Sequence, residues 1–165
     1  MLITGASQGS VGAETAISLA HGNPKHLILA GRSEDKAIPV IEEIQKINPK
    51  IKVQFAQIDL GSQASVRKSA ADINKSLEKL DILINNAAIM ACPYSKTEDG
   101  IESQFATNYL GHFLLTNLLF GKMAVAGPEA RIVNVTSTAS SSGRVQIDDY
   151  NFQVRLNSWI KEDKG

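Results

Sequence analysis

The sequence lacks the residues and segments that would mark a secreted, metal-binding or membrane-spanning protein. Cys92 is its only cysteine, so no internal disulfide can form. The three histidines do not combine with Cys92 into metal-ligand spacing, so no metal site is expected. No apolar run approaches the ~18 residues that cross a bilayer, and no signal-like stretch opens the chain. These absences predict a cytoplasmic protein without a membrane span.

An excess of charge is missing as well. Lys and Arg together number 17, Asp and Glu together number 17, and the formal net charge is 0. Without a basic excess, nucleic-acid and acidic-membrane partners are not expected. The 165 residues are 43% hydrophobic and 21% charged, a composition that predicts one folded domain over residues 1–165.

What the sequence does have is a glycine-rich run near its start, from Thr4 to Gly12. It lies between a short apolar strand and a predicted helix from Ala13 to His21. Such a turn aims backbone amides and the positive end of the helix at a phosphate. Each glycine has a possible role, which is a tight turn at Gly5, close approach to a pyrophosphate at Gly9, and close helix-to-strand contact at Gly12.

The same run permits a second interpretation. The stretch Gly5-Ala6-Ser7-Gln8-Gly9 also satisfies G-x-S-x-G, the nucleophile elbow of α/β-hydrolases. An elbow follows several earlier strands and takes part of its oxyanion hole from an upstream loop, whereas only Met1 to Thr4 precede this turn. Nucleotide binding is therefore the favoured hypothesis and hydrolysis the minor one.

Apolar runs bounded by turn residues alternate with helical patterns along the rest of the chain. Helices are expected from Ser33 to Ile47, from Ser62 into the late seventies, and over Gly100 to Val125, with Pro39 kinking the first or starting its regular part. The further strands are predicted at Leu27–Ala30, Ile51–Ile58, Leu80–Ile84 and Ile132–Val135. This alternation predicts an α/β fold, a Rossmann-type doubly wound parallel sheet.

Polar residues follow each predicted strand where it ends. In parallel sheets these carboxyl ends share one edge, and ligands bind there. The clusters are the glycine run, Arg32, Asp59, Asn85-Asn86 and Ser137. Their expected convergence supports dinucleotide binding more strongly than any single motif does.

Together these motifs resemble the short-chain dehydrogenase/reductase family, whose members transfer a hydride between NAD(P) and a carbonyl or alcohol. The resemblance rests on Thr4-Gly5 with Gly9 and Gly12, Asn85-Asn86-Ala87-Ala88, Asn108 and Ser137. It covers the chain to about Ile160, and the stretch 93–116 looks most like the retinol-dehydrogenase-like branch. The sequence departs from the family pattern at two places. One extra residue lies between Gly9 and Gly12, which predicts a shifted helix start, and Ala88 replaces the usual glycine.

The resemblance implies a cofactor site at the predicted edge. Asp59 would contact the adenine amino group, and Asn86 the neighbouring ribose. Arg32 stands where an acidic residue would accept hydrogen bonds from a ribose 2′-hydroxyl, and with Lys36 it favours NADP(H). The complete expected set is Gly5, Ser7, Gly9, Val11, Gly12, Arg32, Lys36, Asp59, Asn86 and Ala87.

Two catalytic residues are implied as well. Helical spacing places Asn108 in a buried stripe with Ile101, Phe105, His112, Leu115 and Leu119. The resemblance gives Asn108 a water-holding role behind a catalytic lysine, and gives Ser137 a hydrogen bond to the substrate oxygen. A Ser-His-Asp triad of His112, Ser137 and Asp148 or Asp149 is disfavoured, since a histidine in such a stripe is more often a packed core residue.

The family's catalytic tyrosine and lysine have no counterpart where they would be expected. Tyr150 is followed at the required spacing by Val154, and the stretch from Leu156 to Ile160 looks like the segment that precedes the true Tyr-x-x-x-Lys. The sequence therefore looks like a truncated member, with an uncovered fifth strand that predicts self-association. Two functions are left open, an NADP-dependent enzyme acting on a lipophilic carbonyl or alcohol, and a catalytically inactive dinucleotide-binding or interaction protein.

Overall fold

The computed structural model of the chain describes residues 1–142 and 146–153. In this part, five short strands alternate with helices. The strands are β1 (Leu2–Thr4), β2 (His26–Gly31), β3 (Lys52–Gln57), β4 (Ile82–Asn85) and β5 (Arg131–Asn134). The α-helices are α1 (Val11–Ala20), α2 (Ile38–Ile47), α3 (Gln63–Ser76), α4 (Ser103–Phe105) and α5 (Gly111–Ala126). A π-helical turn, Ala106–Leu110, joins α4 to α5, and two 3-10 turns, Thr138–Ser142 and Ile147–Asp149, follow β5.

The strands form one parallel sheet in the order β3-β2-β1-β4-β5. Leu2 of β1 lies between Ile28 of β2 and Leu83 of β4, so the first strand of the chain is the centre of the sheet. The strand order changes direction between β1 and β4, which is the position where open α/β sheets form a ligand crevice. The predicted doubly wound parallel sheet is confirmed.

Alternating side chains of the strands build one apolar core on each face. Leu2 and Ile28 pack into the core beneath α3 and α5, whereas Ile3 and Leu29 pack into the core beneath α1 and α2. Successive residues of a strand point to opposite faces, and a parallel sheet covered on both faces needs apolar residues at every position. The short continuous apolar runs of the sequence satisfy that need.

The start of α2 agrees with one of the two roles expected for Pro39, which is to start the regular part of the helix, but not with the expected cap at Ser33. Ser33 was expected to cap this helix, but the helix begins at Ile38 and its N-cap is Ala37, with no side-chain cap. Pro39 decides the difference, because its fixed φ and missing N–H suit the first turn and would break the interior of a helix begun at Ser33. By contrast, Ser62 caps α3 as expected, accepting a hydrogen bond from the Ser65 amide.

The long helix expected over Gly100 to Val125 is interrupted. The N–H of Gly111 donates to the carbonyl of Ala106 five residues back, which is the pattern of a π turn. This wider turn rotates the side chains ahead of it relative to the regular 3.6-residue spacing. Leu115 and Leu119 are buried as expected, but Asn108 is exposed, so its placement in the buried stripe was wrong.

The β5 edge has a different character from the rest of the sheet. Among the described residues β5 pairs only with β4, and all four of its residues are exposed. In residues 1–142 and 146–153, none of the helices combines the length and apolar character needed to cross a membrane.

Candidate functional site

A cleft of about 440 Å³ opens at the carboxyl ends of the strands. The loops after β1, β2, β3 and β4 all contribute to its walls. Eight of the ten expected cofactor residues line it, namely Gly5, Ser7, Val11, Arg32, Lys36, Asp59, Asn86 and Ala87. Gly9 and Gly12 do not. The structure therefore brings most of the predicted site together at the predicted edge.

The glycines of the first loop have separate tasks. Gly5 has a φ of +75°, and a Cβ on it would lie 2.8 Å from the Cα of Ala87. A Cβ on Gly12 would lie 2.5 Å from Nδ2 of Asn86 and 2.6 Å from the carbonyl oxygen of Gly5. Both glycines thus let the start of α1 and the loop after β4 meet without space between them. Gly12 packs α1 against this loop and does not face the cleft.

Gly9 is the opposite case. Its φ is also +75°, but no heavy atom lies within 4 Å of the position that a Cβ would take. The backbone at Gly9 therefore borders open space beside the N-terminus of α1. Ser10, which follows it, is the N-cap of α1, since its Oγ accepts from the Ala13 amide at 3.1 Å and donates to the Gly5 carbonyl at 3.0 Å. A serine in the lengthened loop thus supplies the cap.

Two cations follow β2 at the rim of the cleft. Arg32 and Lys36 are exposed, and neither forms an ion pair with a carboxylate in the described part of the chain. The Gln8 amide donates to the Lys36 carbonyl at 2.9 Å, which ties the glycine loop to the segment that carries both cations. Their charge is therefore available to an anionic ligand beside the glycine loop.

Asp59 and Asn86 line the cleft but are partly engaged by their own surroundings. Oδ1 of Asp59 accepts from the Gly61 amide at 2.9 Å, as in an ordinary aspartate turn. Nδ2 of Asn86 donates to the Thr4 carbonyl at 2.8 Å. Each residue thus has a local structural role, and this role does not conflict with a contact to a ligand through the remaining polar atoms.

The loop after β4 is held by buried groups beneath it. The amides of Asn86 and Ala87 both donate to Oγ1 of Thr4 at 3.0 Å. Thr4 is fully buried, and its Oγ1 lies 2.8 Å from Nε2 of His112. The other ring nitrogen of His112, Nδ1, lies 3.1 Å from the carbonyl oxygen of Asn108. With both nitrogens engaged in this way, His112 is a packed core residue, as the sequence favoured, and not the base of a triad.

Asn108 holds the far end of the same loop. Its Oδ1 accepts from the Ile89 amide at 2.8 Å, and its Nδ2 donates to the Ile89 carbonyl at 2.8 Å. The π turn is the reason for this arrangement, because it turns Asn108 outward towards the loop. π turns within α-helices often occur at functional sites.

Ser137 lies at the less enclosed side of the edge. It is exposed, and its Oγ accepts from the Ala139 amide at 3.2 Å at the start of a 3-10 turn. Val135, two residues earlier, lines the cleft, so Ser137 lies near the cleft along the chain but outside its lining. Val154, the stretch from Leu156 to Ile160, and Lys161 to Gly165 lie outside the described residues.

A second recess, of about 420 Å³, is lined in part by Asn108. Aromatic side chains form much of its wall, and the ring of Phe105 stacks on that of Tyr109 with centroids 5.5 Å apart. Phe152 belongs to the same wall. Glu102 at its base is buried and caps α4, accepting from the amides of Gln104 and Phe105. This recess can take an apolar group next to the loop that borders the cleft.

Sequence reasoning missed Thr4, Ser10 and Glu102 as structural members of the site. An acidic residue at the start of a helix was a readable signal for Glu102. The bond between Thr4 and His112 had no signal, because its partners are 108 residues apart and neither has a distinctive local pattern.

Comparison with known proteins finds matches that cover most of the chain. Residues 1–151 match the family model described as short chain dehydrogenase. The chain is 42% identical over 159 residues to mouse retinol dehydrogenase 13, covering 94% of this chain and 46% of the mouse protein. It is 42% identical over 160 residues to human retinol dehydrogenase 11, covering 97% of this chain and 49% of the human protein. The chain thus spans about half the length of the curated relatives it matches.

Solved structures also align with most of the chain. An uncharacterised protein of Mycobacterium paratuberculosis aligns with a TM-score of 0.74 at 38% identity, covering 92% of this chain and 51% of the other. A complex of Pseudomonas aeruginosa RhlG with NADP aligns with a TM-score of 0.70 at 25% identity, covering 91% of this chain and 59% of the other.

Proposed function

This chain belongs to the short-chain dehydrogenase family, and from that membership we propose that it serves an NADP-dependent oxidoreductase. The proposed reaction transfers a hydride between the nicotinamide cofactor and a lipophilic carbonyl or alcohol. The retinol dehydrogenases that the chain resembles, at about 42% identity, support this choice of substrate class.

The observation that carries the proposal is the rim of the cleft after β2. An acidic residue there would accept from a ribose 2′-hydroxyl and repel a 2′-phosphate. This chain has Arg32 instead, with Lys36 beside it, and both lie on the cleft without a carboxylate partner in the described residues. A guanidinium can bind a phosphate with two hydrogen bonds, and the ammonium adds charge, so the pair favours NADP(H).

The remaining walls fit a dinucleotide. Ser10 and Val11, at the N-terminal end of α1, line the cleft, and this helix end would attract a pyrophosphate. Asp59 and Asn86 can offer polar atoms to the adenine and the ribose. When the cofactor is bound, its nicotinamide supplies or accepts the hydride.

The substrate would lie next to this cofactor. We assign Ser137 to the hydrogen bond with the substrate oxygen, as the family resemblance implies. Asn108 would position a water for the proton relay, which agrees with its exposed location between the cleft and the aromatic recess. The recess lined by Phe105 and Tyr109 would take the apolar part of the substrate.

The cofactor assignment is tested by titration of the chain with NADPH and NADH. Replacing Arg32 with Asp should weaken NADPH binding by about tenfold or more and leave NADH binding unchanged or stronger. Arg67→Asp, at an exposed arginine of α3 away from the cleft, is the charge-matched control. An Arg32→Asp protein that still prefers NADPH would overturn the assignment.

The alternative function is dinucleotide binding without turnover. Within these 165 residues, the fourth residues after the three tyrosines are Glu98, Phe113 and Val154. Oxidation of NADPH that depends on an added carbonyl would favour the enzyme, and binding without oxidation across varied carbonyls would favour the second function. The cytoplasmic location and self-association stay predictions, which cell fractionation and sedimentation would test.

A further inference from the structure

The hydroxyl of Thr4, the last residue of β1, lies within hydrogen-bond distance of four polar groups. Its oxygen has two lone pairs and one hydrogen. The amides of Asn86 and Ala87, both at 3.0 Å, use the two lone pairs. The hydrogen can then go to Nε2 of His112 at 2.8 Å or to the Ile84 carbonyl at 3.4 Å. The shorter contact is the better hydrogen bond, so Thr4 donates to His112.

The other nitrogen of the ring leads to the same assignment. Nδ1 of His112 lies 3.1 Å from the Asn108 carbonyl oxygen, which can only accept. Nδ1 must therefore carry a proton, and in a neutral ring Nε2 is then an acceptor. Burial lowers the pKa of His112 and the Asn108 carbonyl partly opposes this, so the neutral form is favoured.

His112 thus connects the two groups that hold the loop after β4. Thr4 holds its first part through the Asn86 and Ala87 amides, and Asn108 holds Ile89 through both backbone groups of that residue. The ring bonds to Thr4 on one side and to the turn of Asn108 on the other. Asn86, Ala87 and Ile89 all line the cleft, so these holders define one of its walls.

We propose that His112 is a positioning residue which, as the neutral Nδ1–H tautomer, fixes the loop from Asn86 to Ile89 and with it this wall of the cleft. The inference rests on the proposed function only because that wall borders the proposed nucleotide site. The hydrogen-bond arrangement itself can be tested without any ligand.

Protonation of the ring would break the arrangement. Both nitrogens would then be donors, and Nε2–H would compete with the Asn86 and Ala87 amides for the Thr4 lone pairs. In the described part of the chain, no charged side chain contributes to the pKa shift of His112. Uncharged residues of β4, the π turn, α5 and the segment from β5 to Thr136 line the cavity beside the ring. Apart from His112 itself, Tyr109 is the only titratable residue in this lining.

The first test is ¹⁵N NMR of the full 165-residue chain, with the His112 signals assigned by their loss in His112→Gln. We expect a protonated Nδ1 and an unprotonated Nε2 near neutral pH. As the pH falls, the Asn86 and Ala87 amide signals should move with the same midpoint as the ring. The Nε2–H tautomer, or a ring that titrates without moving these amides, would overturn the proposal.

The second test compares two variants by calorimetric binding of ADP-ribose, which has no 2′-phosphate to titrate. His112→Gln keeps a donor and an acceptor, so it should weaken binding by about threefold and remove the pH dependence below neutral pH. His112→Phe fills the space without hydrogen bonds and should weaken binding by about tenfold or more. Equal affinities of the two variants would contradict a positioning role. A wild-type chain that binds neither ADP-ribose nor NADPH would contradict the proposed function instead, and the NMR result would still decide this inference.

Discussion

Two neighbouring strands, β4 and β5, differ in how far their side chains are buried. They pair in register, with Leu83 opposite Ile132 and Ile84 opposite Val133. Leu83 has no exposed surface, whereas Ile132 is 39% exposed. β4 lies between two strands, with an apolar core on each face, whereas β5 pairs with β4 alone in the described part of the chain.

The difference also distinguishes the two sides of the proposed site. The loop after β4 borders the cleft and is held from below by Thr4 and from the side by Asn108. The segment after β5 carries Ser137, which is exposed and whose Oγ accepts from the Ala139 amide of its own turn. The wall of the proposed cofactor site is therefore preorganised, while the residue proposed to contact the substrate is less firmly held.

The largest expected effect compares the paired residues Leu83 and Ile132 directly. Leu83→Ala should lower the free energy of unfolding by about 3 kcal/mol, because it leaves a cavity in the core beneath α3 and α5. Ile132→Ala should cost only about 1 kcal/mol, because much of its side chain is already in water. Urea denaturation at low protein concentration would measure both. Equal losses would mean that β5 is covered in solution and that the contrast is wrong.

A smaller effect compares two glycines. Gly12→Ala should cost about 2 kcal/mol, since its Cβ would meet Asn86 and the Gly5 backbone within 2.6 Å. Gly121→Ala, on the exposed side of α5 with no atom within 4 Å of the new Cβ, should stabilise the helix by up to about 1 kcal/mol. The same denaturation measurement applies. A destabilised Gly121→Ala protein would show that this face of α5 is packed against something.

The pH dependence of the free energy of unfolding should be a smaller effect than either substitution, and it should come from two histidines that folding removes from water. Burial lowers the pKa values of His112 and His26 from 6.5. As the pH falls below 6.5, the unfolded chain binds protons first, so stability is complete above that value and decreases towards the lowered pKa values. Unfolding measured at a series of pH values should show this slope, reduced in His112→Gln. An unchanged slope in the double variant His26→Gln/His112→Gln would assign it to other groups.

The smallest expected change in the free energy of unfolding is at the edge strand β5. Val133→Lys should change the free energy of unfolding by less than about 0.5 kcal/mol, because the residue is exposed. It should nevertheless reduce self-association, since a charge on an edge strand opposes pairing with a second copy. Gln57→Lys places the same charge on β3 at the opposite edge and is the control. Equal sedimentation of the wild-type chain and both variants would remove β5 as the surface of association.

The sequence predicted the sheet well because the relevant signals are local. Strands such as His26–Gly31 are short apolar runs bounded by turn residues, and the polar residue after each strand follows from the same pattern. Eight of the ten expected cofactor residues line one cleft for this reason. Their contacts with NADP(H), and the roles of Ser137 and Asn108, stay predictions.

The errors arose where one residue or one turn departs from an average pattern. Ser33 was expected to cap a helix that Pro39 forces to begin later. Asn108 was placed in a buried stripe because a regular spacing was assumed through a π turn, which no propensity of Ala106 to Leu110 announces. In neither case does the hydrophobic pattern of the sequence contain the missing information.

The central position of β1 has a consequence for how the protein is made. β1 is synthesised before β2 and β4, yet it lies between residues 26–31 and 82–85 of these strands, and the Thr4 hydroxyl bonds to His112. Contacts this distant in sequence form late, because a long loop must close before they are rewarded. Residues up to His112 must therefore be synthesised before this wall of the cleft is complete, and until then the apolar side chains of β1 lack their partner strands.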